Sequence, residues 1–261
     1  MNNEKIFFTV NIKKDKVIED SKNYIKKSDS KEISLKKVYL KNIKHYFLTM
    51  DSNGIRKKHM TEEFNEYNLI EVNPVTNIPK NQSGPTGFSR MIDIGLRNQD
   101  RNLPFQPFVM YEDDCSKYRD FPEYIEIPED TDVLYIGLSK WSFGDKTHQA
   151  NYYDIINDDI IKIYNMLAAH GIIVCSASGA LAIQKAVMEG YFINIIWDVP
   201  LACIQPHYNI YALTIPLVFQ DSKFKGDELA TRFSIKPTSN SVIPINFINH
   251  NNVSVIMCKK N

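Results

Sequence analysis

The chain has 261 residues, 43% of them hydrophobic, and its 31 Lys and Arg are balanced by 31 Asp and Glu. That length buries a sizeable core as one domain with or without an extension, and zero net charge supplies no overall field for nucleic acid or an acidic membrane. No run approaches the ~18 apolar residues that cross a bilayer, and the N-terminus lacks a signal-peptide core; Cys115, Cys175, Cys203 and Cys258 form no Cys-x-x-Cys pair, so zinc and a disulfide framework are set aside and a soluble cytoplasmic protein with reduced thiols is expected.

Residues 1–44 read as an N-terminal extension or edge strand, with a strand-like run at 6–10 and interleaved Lys, Asp and Glu after it. A first sheet strand is expected at 46–50, followed by the turn residues Asp51, Ser52, Asn53 and Gly54. The helix expected over 55–67 carries Arg56, Lys57 and Lys58 in its first turn. Cations there oppose the helix macrodipole, so they are either surface charge or groups set beside a bound diphosphate. A second strand at 69–75 is closed by Pro74, and the Gly84, Pro85, Thr86, Gly87 stretch suits the entry to an amphipathic helix at 88–97.

The apolar run Phe108, Val109, Met110, Tyr111 then delivers Glu112, Asp113 and Asp114. A strand that ends in acids at the lip of an open α/β sheet lies where such sheets place their chemistry. Alternation along an extended chain sets Glu112 and Asp114 on one side and Asp113 on the other. Two converging carboxylates suit a hard cation, Mg2+ or Mn2+, which completes its shell with water and substrate phosphate. The plain alternative is an acidic strand cap facing solvent.

A buried strand at 132–138 leads to a loop with Trp141, either a packing residue or the flat wall of a ligand site. Apolar spacing at Ile155, Ile156, Ile160, Ile163, Tyr164 and Leu167, with Gly171 as the stop, predicts a helix over 152–170. A strand at 171–176 and a helix at 180–189 follow. Ser176 and Ser178 lack the flanking glycines of a nucleophile elbow, so a serine N-cap is the reading there. Asp198, in the apolar context of Trp197, Val199 and Pro200, is a candidate general base, since a partly desolvated carboxylate accepts a proton near neutrality. Its plain alternative is a turn or cap. Strands are expected at 211–213 and 216–221, with terminal strands within 242–257 and no chemistry identified in them. Strand, helix, strand, helix, strand at these lengths predicts an α/β fold, a mixed sheet flanked by helices.

The ordered set resembles a glycosyltransferase of the GT-A type, a Rossmann-like mixed sheet, and most of all glycosyltransferase family 25. Residues 46–50 with Arg56, 84–90, 109–114, 173–186, and Asp198 through Pro216 and Gln220 follow that family's order. Two places depart from its pattern, Ser89-Arg90 where the family has Ser-His, and Thr49-Met50 in place of Asn-Leu. The Asn, Ile and Lys bias also resembles proteins of AT-rich genomes, large DNA viruses among them. The resemblance implies a catalytic domain at 45–221, with 222–261 packing on it, that moves a sugar from a nucleotide-diphosphate sugar, a UDP-sugar by analogy, to a hydroxyl of a glycan or protein acceptor. It further implies Mn2+ or Mg2+ held by Glu112 and Asp114 with His207 as a late ligand. Asp198 and Asp113 would be catalytic, and Thr49, Arg56, Ser89, Arg90, Glu112 and Trp141 would line the donor site. Two other readings are a degenerate transferase fold that binds a nucleotide sugar or serves assembly, and a metal-dependent nucleotidyltransferase. The second would need a phosphate loop, and 84–87 lacks the Lys-Ser/Thr ending.

Overall fold

Strands covered on both faces need apolar side chains at every position, which is why those around the acidic triplet read as unbroken apolar runs. The structure is a computed structural model that describes residues 33–49, 54–75, 77–143, 151–221, 223–224 and 247–249. In chain order its first elements are β1 (Leu35–Tyr39), β2 (Lys44–Leu48), α1 (Ile55–Glu63), β3 (Leu69–Val72), α2 (Lys80–Arg97), β4 (Phe108–Glu112), β5 (Cys115–Lys117), β6 (Tyr124–Pro128) and β7 (Val133–Tyr135). Then follow β8 (Asn151–Ile155), β9 (Ile160–Ile163), β10 (Gly171–Val174), α3 (Ala177–Ile193), α4 (Asp198–Ile204), β11 (Ile210–Leu213), β12 (Val218–Gln220) and β13 (Phe247–Asn249). The compact unit that holds them begins at Ser34.

Among the described residues a nine-stranded sheet runs β13-β8-β9-β11-β7-β10-β4-β2-β3. Strands β3, β2 and β4 are parallel, β10 is antiparallel to both β4 and β7, and β11 is again parallel to β7. Tyr46, Leu48, Phe108 and Met110 point into a core closed by Phe88, Met91 and Ile92 of α2 and by Ala180, Ile183 and Val187 of α3. The alternate residues Phe47, Val109 and Tyr111 point the other way, into a core closed by Met60 of α1, Phe64 just after it, the β1–β6 ribbon, and Val218 of the small β5–β12 pair. The fold is therefore the mixed α/β sandwich that the sequence predicts, a large sheet flanked by helices in the Rossmann-like manner.

Two expectations are corrected. The helix predicted over 152–170 is the hairpin β8–β9. Its helical spacing was carried by Ile and Tyr, residues that also fit a half-covered strand. Asn157 decides the matter, because its side-chain oxygen accepts from the backbone N–H of Asp159 and Ile160 at 3.0 and 2.9 Å and closes a turn in mid-segment. Pairing of β9 with β11 then satisfies the backbone. The helix expected from Phe88 starts earlier, at Lys80, and runs through Pro85. Thr86 bonds back to the carbonyls of Gln82 and Ser83 beside the proline. Gly87 and Gly95 lie where a Cβ would strike Leu48 and Phe108, so this face of α2 rests directly on the sheet. The run at 6–10, Met50, the turn residues 51–53, Cys258 and most of 242–257 lie outside the described residues.

Ser176 caps α3: its hydroxyl accepts from Gly179 N–H at 2.9 Å and donates to Asp132 at 2.5 Å. Asp132 also accepts from the backbone N–H of Asn209 at 3.1 Å, so one carboxylate ties α3 to β11. A Cβ at Gly179 would meet the carbonyl carbon of Asp132 at 2.8 Å, and backbone cannot swing aside as a side-chain tip can. Gly179→Ala is expected to destabilise the fold by about 1–3 kcal/mol, seen as a lower urea midpoint at unchanged slope. An unchanged midpoint would show that α3 can lift off β7 at no cost.

Candidate active site

The parallel strands β3, β2 and β4 end on the same edge of the sheet, and β2 and β4 pair so that Leu48 lies opposite Glu112. Thr49, buried, follows directly after β2. After Glu112 the backbone turns through Asp113 and Asp114 into β5, and the three acids separate. Asp113 forms an ion pair with Arg56 of α1 at 2.9 Å. Glu112 and Asp114 converge on Gln220 of β12, whose side-chain N–H group donates to both carboxylates, at 3.2 and 3.3 Å. The backbone of the turn is held as well, because Asp221 N–H donates to the carbonyl of Asp114 at 2.8 Å. Below it, Asp221 accepts from Ser116, and Ser116 in turn contacts His59 of α1.

Charge is crowded here. Burial pushes the Glu112 carboxyl well above its ordinary range, and the charges of Asp114, Asp198 and Asp113 add to the shift; Arg56 opposes it. Asp114 is raised to about 6, first by burial and then by Asp113, against the pull of Arg56 and Gln220. Its Oδ1 is buried without a hydrogen-bond partner. Asp198 reaches this field from the first position of α4. Its charge also acts on Tyr135 of β7, whose hydroxyl burial raises well above its ordinary value. Acids from β4, the turn after it and α4 thus act on one another although up to 86 residues separate them.

A divalent cation fits this donor set. Two carboxylates that repel each other, one with an orphaned buried oxygen, are what a hard cation neutralises. Among the described residues no group of three or more His, Cys, Asp or Glu is arranged to enclose a metal. Glu112 and Asp114 would therefore hold it with water or substrate oxygens completing the shell. His207 is exposed at the end of the 3-10 turn Gln205–His207 and does not complete a protein cage with them.

Three other sequence candidates bond to residues outside the acidic turn. Arg90 donates to the carbonyl of Asn73 at 3.2 Å, just beyond β3 and two strands from β4. Ser89 accepts from Gln184 of α3 at 3.4 Å, at the helix–helix contact. Trp141 is half-buried in the loop after β7, its backbone N–H donating to Ser139 Oγ at 3.1 Å and its carbonyl accepting from Leu167. Gln220 had no local signal as a partner of Glu112 and Asp114, which lie 108 and 106 residues away. Tyr135 was legible only as a strand residue.

No protein-family model and no curated protein matches the chain. Among solved structures the chain is similar to the CTP:phosphocholine cytidylyltransferase of Streptococcus pneumoniae, with a TM-score of 0.32 and 10% identity over 78% of this chain and 79% of that one. A likeness of that depth bears on neither activity nor substrate.

Proposed function

We propose that the chain is a divalent-metal-dependent transferase of nucleotide-diphosphate sugars, a glycosyltransferase of the GT-A type that moves the sugar to a hydroxyl acceptor. One observation carries the reading. Glu112 and Asp114 are brought together, half-buried and mutually repelling, at the C-terminal edge of the parallel strands, with Asp198 inside the same field. That edge is where open α/β sheets bind nucleotides.

A Mn2+ or Mg2+ held by Glu112 and Asp114 would neutralise the diphosphate as charge develops on the leaving group. The chain's own residues do the rest. Gln220 holds the two carboxylates at a common point and leaves the buried Oδ1 of Asp114 without a hydrogen-bond partner. Arg56, engaged by Asp113, fixes the turn and moderates its charge, so its first task is positioning. Asp198 orients the acceptor hydroxyl and takes its proton in a transfer that inverts the sugar. Thr49, directly after β2 where it pairs with Glu112, would contact the nucleotide, with Arg90 and Ser89 of α2 as further contacts, and Trp141 would offer a flat face for the sugar.

A thermal-shift panel tests this without knowledge of the acceptor, because a ligand that binds only the native state raises its melting temperature by mass action. Nucleoside diphosphates, UDP-sugars and nucleoside triphosphates are each run with and without Mn2+. Stabilisation by a nucleoside diphosphate and its sugar only with Mn2+ is the expected result. A response to triphosphates alone, with pyrophosphate released, would assign nucleotidyl transfer instead. Metal-independent binding would assign a binding module.

A further inference from the structure

Helix α3 buries one side and turns the other outward. Ala180, Ile183, Ala186, Val187 and Gly190 line the buried side. A helix turns by about 100° per residue, which sets Leu181, Lys185, Met188 and Phe192 within about 60° of one another on the opposite side. Leu181 is 57% exposed and Phe192 76%, and Met188 between them is half-buried. Large apolar side chains clustered in water in this way mark an interaction surface.

The far end of the stripe is held rigidly. Helix α3 ends on Asn194 in the left-handed conformation (φ 57), and Ile195 N–H returns to the carbonyl of Gly190 at 3.0 Å, the pattern of a Schellman stop. The connector to α4 folds back so closely that a Cβ on Gly190 would meet Pro200 Cγ at 3.2 Å. Its Trp197 packs on Phe88, ring centroids 4.1 Å apart. A surface fixed before association gives up little freedom when it is covered.

Both shape and charge on this side of α3 complement themselves. The exposed residues at the helix start, Ala177 and Ser178, are small, and those at its end, Phe192 and Ile193, are bulky. Two copies in parallel would set bulk on bulk, whereas an antiparallel pair lays each bulky end on the small end of the other. Lys185 and Glu189 lie on one flank of the stripe, about 40° and 80° round from Leu181. Their ion pair within the helix spans 3.9 Å, with the side chains 77 and 47% exposed, and such a pair contributes little by itself. An antiparallel two-fold axis level with Val187 keeps each flank on its own side and brings Lys185 opposite the partner's Glu189, twice. The same axis sets Phe192 within one residue, about 1.5 Å of helix rise, of the partner's Leu181. Zero net charge lets two copies approach without long-range repulsion.

We infer that the outward side of α3 is the interface of a homodimer, in which two copies of the helix pair antiparallel about a two-fold axis level with Val187. The contact is isologous, one surface meeting itself. It does not depend on the chemistry assigned to the acids.

Sedimentation velocity of the full chain from low to high micromolar concentration tests the pairing, and a dimer is expected. Lys185→Glu and Glu189→Lys each place two like-charged pairs across the axis, so each is expected to raise the dissociation constant about tenfold or more. Mixed in equal amounts, the two variants are expected to associate as tightly as the parent, because every pair across the axis is then opposite in sign. Phe192→Asp is expected to weaken the dimer at least as much, while Ile155→Asp, 55% exposed on β8, leaves it unchanged. Circular dichroism shows that the variants are folded, and the Mn2+-dependent nucleotide shift is expected to survive in all of them, which keeps this test apart from that of the proposed function. A parent chain that sediments as a monomer throughout overturns the inference. So does a dimer that either charge variant leaves intact, and so does a mixture of the two that fails to associate.

Discussion

Asp114→Asn is expected to make the free protein more stable at neutral pH while removing its metal-dependent affinity for a nucleoside diphosphate. The carboxyl of Asp114 is raised from 3.8 to about 6, chiefly by burial and the charge of Asp113, so ionising it opposes folding. A shift of that size corresponds to about 3 kcal/mol at neutral pH, and an amide recovers about 1–3 kcal/mol of it. The amide keeps an acceptor for Gln220 and offers a donor toward Glu112. A gain of that order raises the melting temperature by roughly 3–8 °C for a chain of this size. Loss of an anionic ligand should weaken Mn2+-dependent binding by about 100-fold or more. The sign can be checked against pH. A carboxyl whose folded pKa is raised costs nothing below its unfolded value near 3.8 and its full penalty above about 6. The stability difference between variant and parent should therefore be largest at neutral pH and close to zero near pH 4. A variant less stable than its parent at neutral pH would mean that the acids are not in conflict, and unchanged Mn2+-dependent affinity would remove the metal from this site.

The second large effect is acid lability from two buried histidines. Burial lowers both His45 and His170 from 6.5 to about 4. His45 has a defined tautomer. Its Nε2 lies 2.8 Å from the carbonyl of Leu40, which can only accept, so Nε2 carries the proton and Nδ1 accepts from the Tyr111 hydroxyl at 2.9 Å. His170 is buried against Gly137, and its Nε2 has no hydrogen-bond partner. A depressed histidine contributes stability that is complete above the unfolded pKa and is lost as pH falls through the folded one. Each therefore accounts for about 3 kcal/mol lost between about pH 6.5 and about pH 4. In the parent protein Asp114 and Glu112 oppose this, because their protonation over the acid range relieves the crowding between them. Asp114→Asn removes much of that opposition, so its urea midpoint should fall more steeply with acid than the parent's. Imidazole proton resonances of both histidines should stay in their neutral positions down to about pH 5. Titration of either near 6.5 would show that its site admits water.

Much of this was legible in the sequence, and for a common reason. Strands β2, β4, β10 and β11 are covered on both faces, and a short stretch of chain records that as an apolar run. The acidic turn after Phe108–Glu112 was legible because strand and acids are adjacent in the chain, and the Ser176 cap because a helix start is a local structure. The hairpin β8–β9 was not, since Ile and Tyr at helical spacing satisfy both periods until β11 offers a partner. Nor was the contact that shapes the candidate site. Apolar pattern and acid placement, properties of neighbouring residues, determined the α/β fold and the edge where its chemistry would lie. That Gln220 joins Glu112 to Asp114, that Arg56 takes Asp113, and that Asp198 enters their field was decided only when β12, α1 and α4 packed around the turn. Electrostatic crowding depends on distance through space, and separations of 57 to 108 residues leave no trace of it in the chain.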